Sequence, residues 1–268
     1  MRPPRAGDSM KRRNLLQLAV LFAAVAVTPA HADALADLTK AGVVKIAVPQ
    51  DFPPFGSAGP DLKPVGYDID VAQLIATKLG VKLELVPVGS ANRVPFLQTN
   101  KVDLVVSSMG KNAEREKVID FSEAYAPFFN GVFGPASVKA TKIDDIAGKS
   151  VGVTRGSVED IELSKIAPAT ASIKRYEDNN GTISAFLSGQ TELIATGNVI
   201  AAAILAKNPP KKPETKFLIK NSPCFIGLNK NEPALLAKVN DILATAKKDG
   251  SLSAISQKWL GMGLPADL

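Results

Sequence analysis

The sequence predicts an α/β fold in which mainly parallel sheets are flanked by helices. Short apolar runs that suit buried strands alternate with segments of helical spacing, and the order strand, helix, strand occurs in two separate stretches. Such an order requires crossover connections, which the helices supply. In open sheets of this kind ligands sit beyond the carboxyl ends of the strands, so the residues that follow each strand are the first candidates for a site.

Taken in order, VVKIAVP (43–49) reads as a short buried strand and the Pro- and Gly-dense stretch 50–64 as a loop. In GYDIDVAQLIATKLG (66–80), Val71, Leu74, Ile75 and Leu79 fall at helical spacing. Asp68 and Asp70 lie near the positive N-terminus, and Gly80 suits a left-handed stop. VKLELVPV (81–88) alternates as a half-buried strand does, NRVPFLQTN (92–100) suggests a short helix, and KVDLVVSSM (101–109) a third strand. The pattern restarts with a strand at GKSVGV (148–153), a tight turn at TRGS (154–157) and a helix beginning in VEDIELSKI (158–166). TISAFLSG (182–189) is helical, TELIATG (191–197) a strand, NVIAAAILAKN (198–208) a helix and NPPKKPE (208–214) a solvated loop. Near the end, Leu235, Leu236, Val239, Ile242, Leu243 and Ala246 form one apolar helical face. Gly250 breaks that helix, and a shorter one follows with Trp259 as a packing anchor.

The first thirty-two residues stand outside this pattern. KRRN (11–14) is a basic start, LLQLAVLFAAVAV (15–27) an apolar run, and AHA (30–32) has the form of a cleavage site, which together predict an export signal removed after Ala32. The apolar run falls short of the roughly 20 residues that span a bilayer. Removing residues 1–32 takes away five Lys or Arg and one acid, lowering the formal net charge from +6 to +2, so the case for a nucleic-acid partner weakens. His31, the one histidine, leaves as well, and Cys224 is the one cysteine. A zinc site and a His-based nucleophilic hydrolase are therefore not expected, and neither is any other cofactor. Cys224, beside an apolar strand, reads as a buried inert thiol. The remaining length suits one large domain or two lobes.

The strand at 101–109 ends in two hydroxyls, Ser107 and Ser108, and SSMGKNAER then brings Arg115. The apolar run is the sheet interior, and the hydroxyls mark where it reaches a cleft. A fixed cation beside them suits a small anion. The RGS turn (155–157) ahead of a helix resembles a second anion seat, because first-turn amides have no intrahelical partner.

FPPFGS (52–57), GYDIDVAQLIATKLG (66–80), the run from NRVPF through DFSEAY (92–125), IAGKSVGVTRGS (146–157) and DGSLSAISQKWLG (249–261) come in an order and spacing that resemble the periplasmic polar amino-acid-binding proteins of ABC importers, solute-binding family 3. The resemblance implies a two-lobed, type II periplasmic-binding fold. Lobe 1 would comprise 33–129 and 224–268 and lobe 2 130–223, with two hinge crossovers. It implies a monomer in the periplasm, closing around an anionic or zwitterionic ligand and docking on a permease. Carried over by position, Phe52 lies against the ligand side chain; Ser107, Ser108 and Gly110 hydrogen-bond its ammonium and carboxylate; Arg115 forks onto the carboxylate; Ser157 is the donor from lobe 2. SANRVP (90–95) resembles the acidic amino-acid branch, in which Arg93 contacts a side-chain carboxylate and Ser90 assists; the alternative is that Arg93 is a solvated helix residue.

One departure stands out. The family's acidic partner for the ammonium belongs at the end of TELIATG, where this chain has Gly197 followed by Asn198, the remaining candidate ligand contact. Pro49, where binders of basic amino acids tend to place an aspartate, argues against lysine or arginine as ligand. These features tilt the pocket toward aspartate, glutamate or an amine-free dicarboxylate. An enzyme resembling exported cyclohexadienyl dehydratases would need a general acid with a raised pKa in the cleft. Glu159, Asp160 and Glu162 read more simply as helix N-terminal charges, so no enzyme activity is expected.

Overall fold

The computed structural model describes residues 33–268, and the export-signal prediction lies outside them. Helix α1 (Ala34–Ala41) leads into β1 (Val43–Pro49). The short strands β2 (Asp51–Phe52), β3 (Gly56–Ala58) and β4 (Pro64–Val65) form a small antiparallel flap where the sequence suggested only a loop. Then come α2 (Tyr67–Leu79), β5 (Lys82–Val88), α3 (Arg93–Gln98), β6 (Leu104–Met109), α4 (Ala113–Val118) and β7 (Ile119–Ala126). The second half holds β8 (Phe129–Gly134), β9 (Ser150–Thr154), α5 (Val158–Ile166), β10 (Ser172–Tyr176), α6 (Asn179–Leu187), β11 (Leu193–Gly197), α7 (Asn198–Ala206) and β12 (Glu214–Asn221). The chain ends with β13 (Cys224–Asn229), α8 (Pro233–Lys248) and α9 (Ser251–Leu260).

Two five-stranded sheets result, ordered β5-β1-β6-β13-β7 and β10-β9-β11-β8-β12. Each is mixed, with four strands running one way as expected and one against them: β5-β1-β6 and β10-β9-β11 pair in parallel, while β13 and β8 pair antiparallel to both neighbours. The cause lies in the connections. Between β7 and β8, and between β12 and β13, the chain passes from one sheet to the other with no helix to reverse it.

β6 is buried along its whole length, which is why it reads as an apolar run rather than an alternation. Helix α2 sets Val71, Ala72, Ile75 and Ala76 into the core and stops at Gly80, whose φ of 73° is the left-handed conformation expected there. Leu235, Val239, Ile242, Leu243 and Ala246 of α8 are buried, as their spacing requires, and Leu236 is half-buried beside them. Trp259 packs against the same core and donates its indole N–H to Asp70 at 2.7 Å. One apolar cluster reaches across both halves, joining Phe52, Phe55 and Phe128 to Ile200 and Ile204 of α7.

Candidate functional site

The carboxyl ends of the strands in both sheets converge on one cavity of about 20 Å³. From the first half, Phe52, Ser90, Arg93, Ser108 and Gly110 line it. Arg93, at the start of α3, is only 5 % exposed, so it is not a solvated helix residue. Its Nε donates to the Ser107 hydroxyl at 3.0 Å, which fixes the guanidinium. Burial pushes its pKa down, against the pull of Asp68, Asp51 and Glu159. Ser107 is thus fully buried beside Arg93 and does not line the cavity.

Ser108 has a φ of 40°, a left-handed backbone uncommon for a side-chain-bearing residue. A buried relay holds it there. Its N–H donates to the Tyr125 hydroxyl at 3.0 Å, and Tyr125 donates in turn to Asp68 at 2.6 Å. The Tyr67 hydroxyl donates to the Tyr125 carbonyl at 2.8 Å. Asp68 is completely buried, one carboxyl oxygen has no partner, and burial raises its pKa to about 7. Sequence periodicity shows Asp68 only as a charge near a helix start; its role appears once Tyr125, 57 residues away, closes over it.

Arg115 is caged at the seam. Asn112 caps its helix, and the guanidinium donates to the Gly110 carbonyl at 2.8 Å and, across the halves, to the Gly156 carbonyl at 2.9 Å. Burial and the charge of Arg93 push its pKa down to about 10. It is not among the residues that line the cavity. Glycine at 110 permits the approach, since a Cβ there would stand 2.8 Å from the Ser222 hydroxyl and 3.1 Å from Val158 of the other half.

The second half contributes Asn130, Thr154, Ser157, Glu159 and Asn179. Ser157 caps α5, its hydroxyl accepting from the Asp160 N–H at 3.2 Å, so the predicted turn does open a helix at the cavity. Asp160 faces elsewhere: it accepts from the Gly156 N–H and from Arg175. Glu159, one residue earlier, turns inward. It is 6 % exposed and burial raises its pKa, against the opposing pull of hydrogen bonds and of Arg93 and Arg115. Among the described residues neither Arg93 nor Glu159 forms an ion pair. At the same seam Asp51 accepts from the Asn179 backbone and side-chain amides at 2.6 and 3.2 Å.

Asn198 lies outside the cavity lining, contrary to the contact expected of it: its side-chain oxygen accepts from the Phe129 N–H at 3.0 Å and ties α7 to β8. Gly197 is dictated by Phe128, whose ring would come within 1.9 Å of a Cβ there. Phe128 and Asn130 escaped the sequence reading because antiparallel β8, which carries Asn130 opposite Gly197, has no helical or strand-repeat signature of its own. Glu159 had a signal, its place two residues after the cap, but helix-dipole logic claimed it. Among the described residues no cluster of three His, Cys, Asp or Glu is placed to hold a metal ion.

Gly156 supplies a test of how tightly the halves must meet. Its φ is 71°, and an added Cβ would stand 2.8 Å from Ala91 Cα in the opposite half. Gly156→Ala should keep the fold, losing roughly 1–2 kcal/mol of stability to left-handed strain in its own turn, and should weaken ligand binding about tenfold or more, because the clash with Ala91 is relieved by moving the halves apart. Titration calorimetry beside a thermal melt checks this; unchanged affinity would show that the seam tolerates a wider gap.

Two α/β halves joined by two crossovers, with a small charged cavity at the strand ends of both, define a two-lobed solute-binding protein of the type II periplasmic-binding class. The chain belongs to the bacterial extracellular solute-binding proteins, family 3, whose sequence profile matches residues 44–262. It is 28% identical over 226 residues to the L-cystine-binding protein TcyJ of Escherichia coli, covering 82% of this chain and 83% of that one. An ancestral arginine-binding protein bound to arginine superposes with a TM-score of 0.76 at 33% identity, covering 82% of this chain and 99% of its own. An ancestral amino acid-binding protein described as a precursor of cyclohexadienyl dehydratase superposes equally well, TM-score 0.76 at 28% identity, covering 84% and 98%.

Proposed function

We propose that this protein is the extracytoplasmic receptor of an ABC importer, capturing a polar or acidic amino acid between its halves and presenting it to a membrane permease. The observation that carries this reading is the placement of the buried Arg93 guanidinium and the unpartnered Ser108 hydroxyl opposite Ser157 and the first turn of α5, in one cavity built by both halves. Such a set suits a carboxylate: charge-assisted donors on one side and helix N-terminal amides on the other. Phe52, Ser90 and Gly110 complete the wall, and Arg115 acts from the seam, joining one half to the other. The named relatives bind amino acids, which supports the ligand class.

The cavity has room for about one water molecule. A solute enters only when the halves part, and it holds them together by contacts that exist only when they close. Lobe 1 is taken as 33–129 with 224–268 and lobe 2 as 130–223. The mature chain acts as a monomer in the periplasm, freed of residues 1–32. Thermal-shift screening of the mature protein against L-amino acids and dicarboxylates tests the reading. A cognate ligand at about 100 times its dissociation constant stabilises the fold by roughly 2.7 kcal/mol, a shift of several degrees. No shift with any of them would refute it.

A second reading, a dehydratase-like enzyme, is favoured by one feature: Glu159 is a buried carboxyl with a raised pKa inside the cavity, the property a general acid requires. Conversion of prephenate to phenylpyruvate by the purified protein would establish it.

A further inference from the structure

We infer that Glu159 is the ligand's cation-binding carboxylate, so that the solute is a zwitterion with a free amino group and not an amine-free dicarboxylate. This rests on the receptor reading above and narrows it.

Three features of the cavity point the same way. First, Arg93 and Glu159 both face the cavity, both are at least nine-tenths buried, and neither is ion-paired among the described residues. Two opposite charges brought to one cavity without pairing to each other leave a separated positive and negative wall. The complement of such walls is a molecule that carries both signs, because each buried charge is costly until a partner reaches it. Second, the acceptor capacity that the second half brings to the cavity exceeds what the protein uses. Asn130 is 1 % exposed, lines the cavity and has its side-chain oxygen without a partner. An ammonium has three N–H donors and no acceptor, and a carboxylate and an amide oxygen lining one cavity suit it. An ionised amine-free diacid offers this region nothing but acceptors and would leave the Asn130 side-chain oxygen unpaired. Third, the donors sit with the opposite charge: the Arg93 guanidinium and the Ser108 hydroxyl, also unpartnered, belong to the first half, whereas Glu159 and Asn130 belong to the second. A zwitterion bridging them draws the halves together by both ends, whereas a diacid would bring a second carboxylate into the cavity of Glu159 with no ammonium to offset the two negative charges.

The test uses the full mature chain and titration calorimetry with two matched pairs, L-glutamate against glutarate and L-aspartate against succinate, preceded by a panel of the other proteinogenic L-amino acids. Each pair differs only in the amino group. Wild type is expected to bind at least one L-amino acid, and where that is glutamate or aspartate to prefer it to its deaminated partner by about 100-fold; Glu159→Gln should cost about 100-fold for the amino acid and leave diacid affinity equal or improved. An unchanged thermal melt of Glu159→Gln without ligand shows that the loss is not unfolding. Glutarate or succinate binding wild type as tightly as any amino acid overturns the inference while leaving the receptor reading intact. So does a Glu159→Gln variant that keeps wild-type affinity for the amino acid. If neither class binds, or if wild type consumes prephenate and Glu159→Gln does not, the receptor reading falls and the inference falls with it.

Discussion

Arg93→Met should lower affinity for the cognate solute by about 100-fold or more, since truncating one member of a buried charge pair costs roughly 2–5 kcal/mol, mostly by leaving the other charge unmatched. The guanidinium is buried, faces the cavity, and spends one donor on Ser107, which leaves its two terminal nitrogens for the ligand. Arg93→Lys should rescue little. Lysine carries the charge but not the planar fork, and it cannot donate to Ser107 and grip two carboxylate oxygens in one geometry. The free protein should tolerate the Met variant, because the substitution removes a guanidinium whose burial is itself costly and replaces it with an apolar side chain that fills much of the same space. Titration calorimetry with the solute selected by thermal shift decides it; wild-type affinity in Arg93→Met would remove Arg93 from the contact set.

Asp68→Asn should flatten the dependence of stability on pH. In the folded chain burial lets Asp68 hold its proton up to about pH 7, whereas an unfolded aspartate loses it near 3.8. Between these values the folded state binds more protons, so its stability falls as pH rises through the window and levels off above it. The shift corresponds to about 4 kcal/mol across the whole window, present at low pH and lost by pH 8. Asparagine is the same size, has no such titration and can still accept from Tyr125. Relative to wild type the variant should therefore gain stability steadily from pH 4 to pH 8. Glu159 and Asp103, whose pKa values are also raised, contribute a slope of the same sign in both proteins, so the difference between the two curves isolates Asp68. Urea unfolding of both proteins at several pH values measures this, and parallel curves would show that Asp68 is ionised in the fold.

Local pattern made much of the fold legible. The helices α2, α7 and α8 and the strands β1, β5, β6, β9 and β11 follow from apolar spacing and from glycine stops such as Gly80. Missing from that reading were β7, β8, β10 and β12, whose pairing is set by partners far along the chain and whose sequences carry little periodicity. The antiparallel members of each sheet follow from the crossovers, which no local signal announces. Of the cavity lining, Ser108 and Ser157 were legible as a strand end and a helix start, which are local features, whereas Phe52, Ser90, Arg93 and Gly110 were named only through the family resemblance. Glu159 and Asn130 were not, since an inward turn of a helical carboxyl and an amide on a crossing strand become visible only when both sheets are in place. Asn198 shows the converse: a polar residue next to the right strand end, spent instead on a backbone amide.

The placement of β13 also separates the order in which the chain is made from the order in which it can be completed. Everything in the second sheet lies within one uninterrupted stretch, so that half can assemble from its own residues. The other half has a slot between β6 and β7 that only the returning tail can fill. The earliest portion to be synthesised is therefore the last to be sealed, and the C-terminus serves as its keystone.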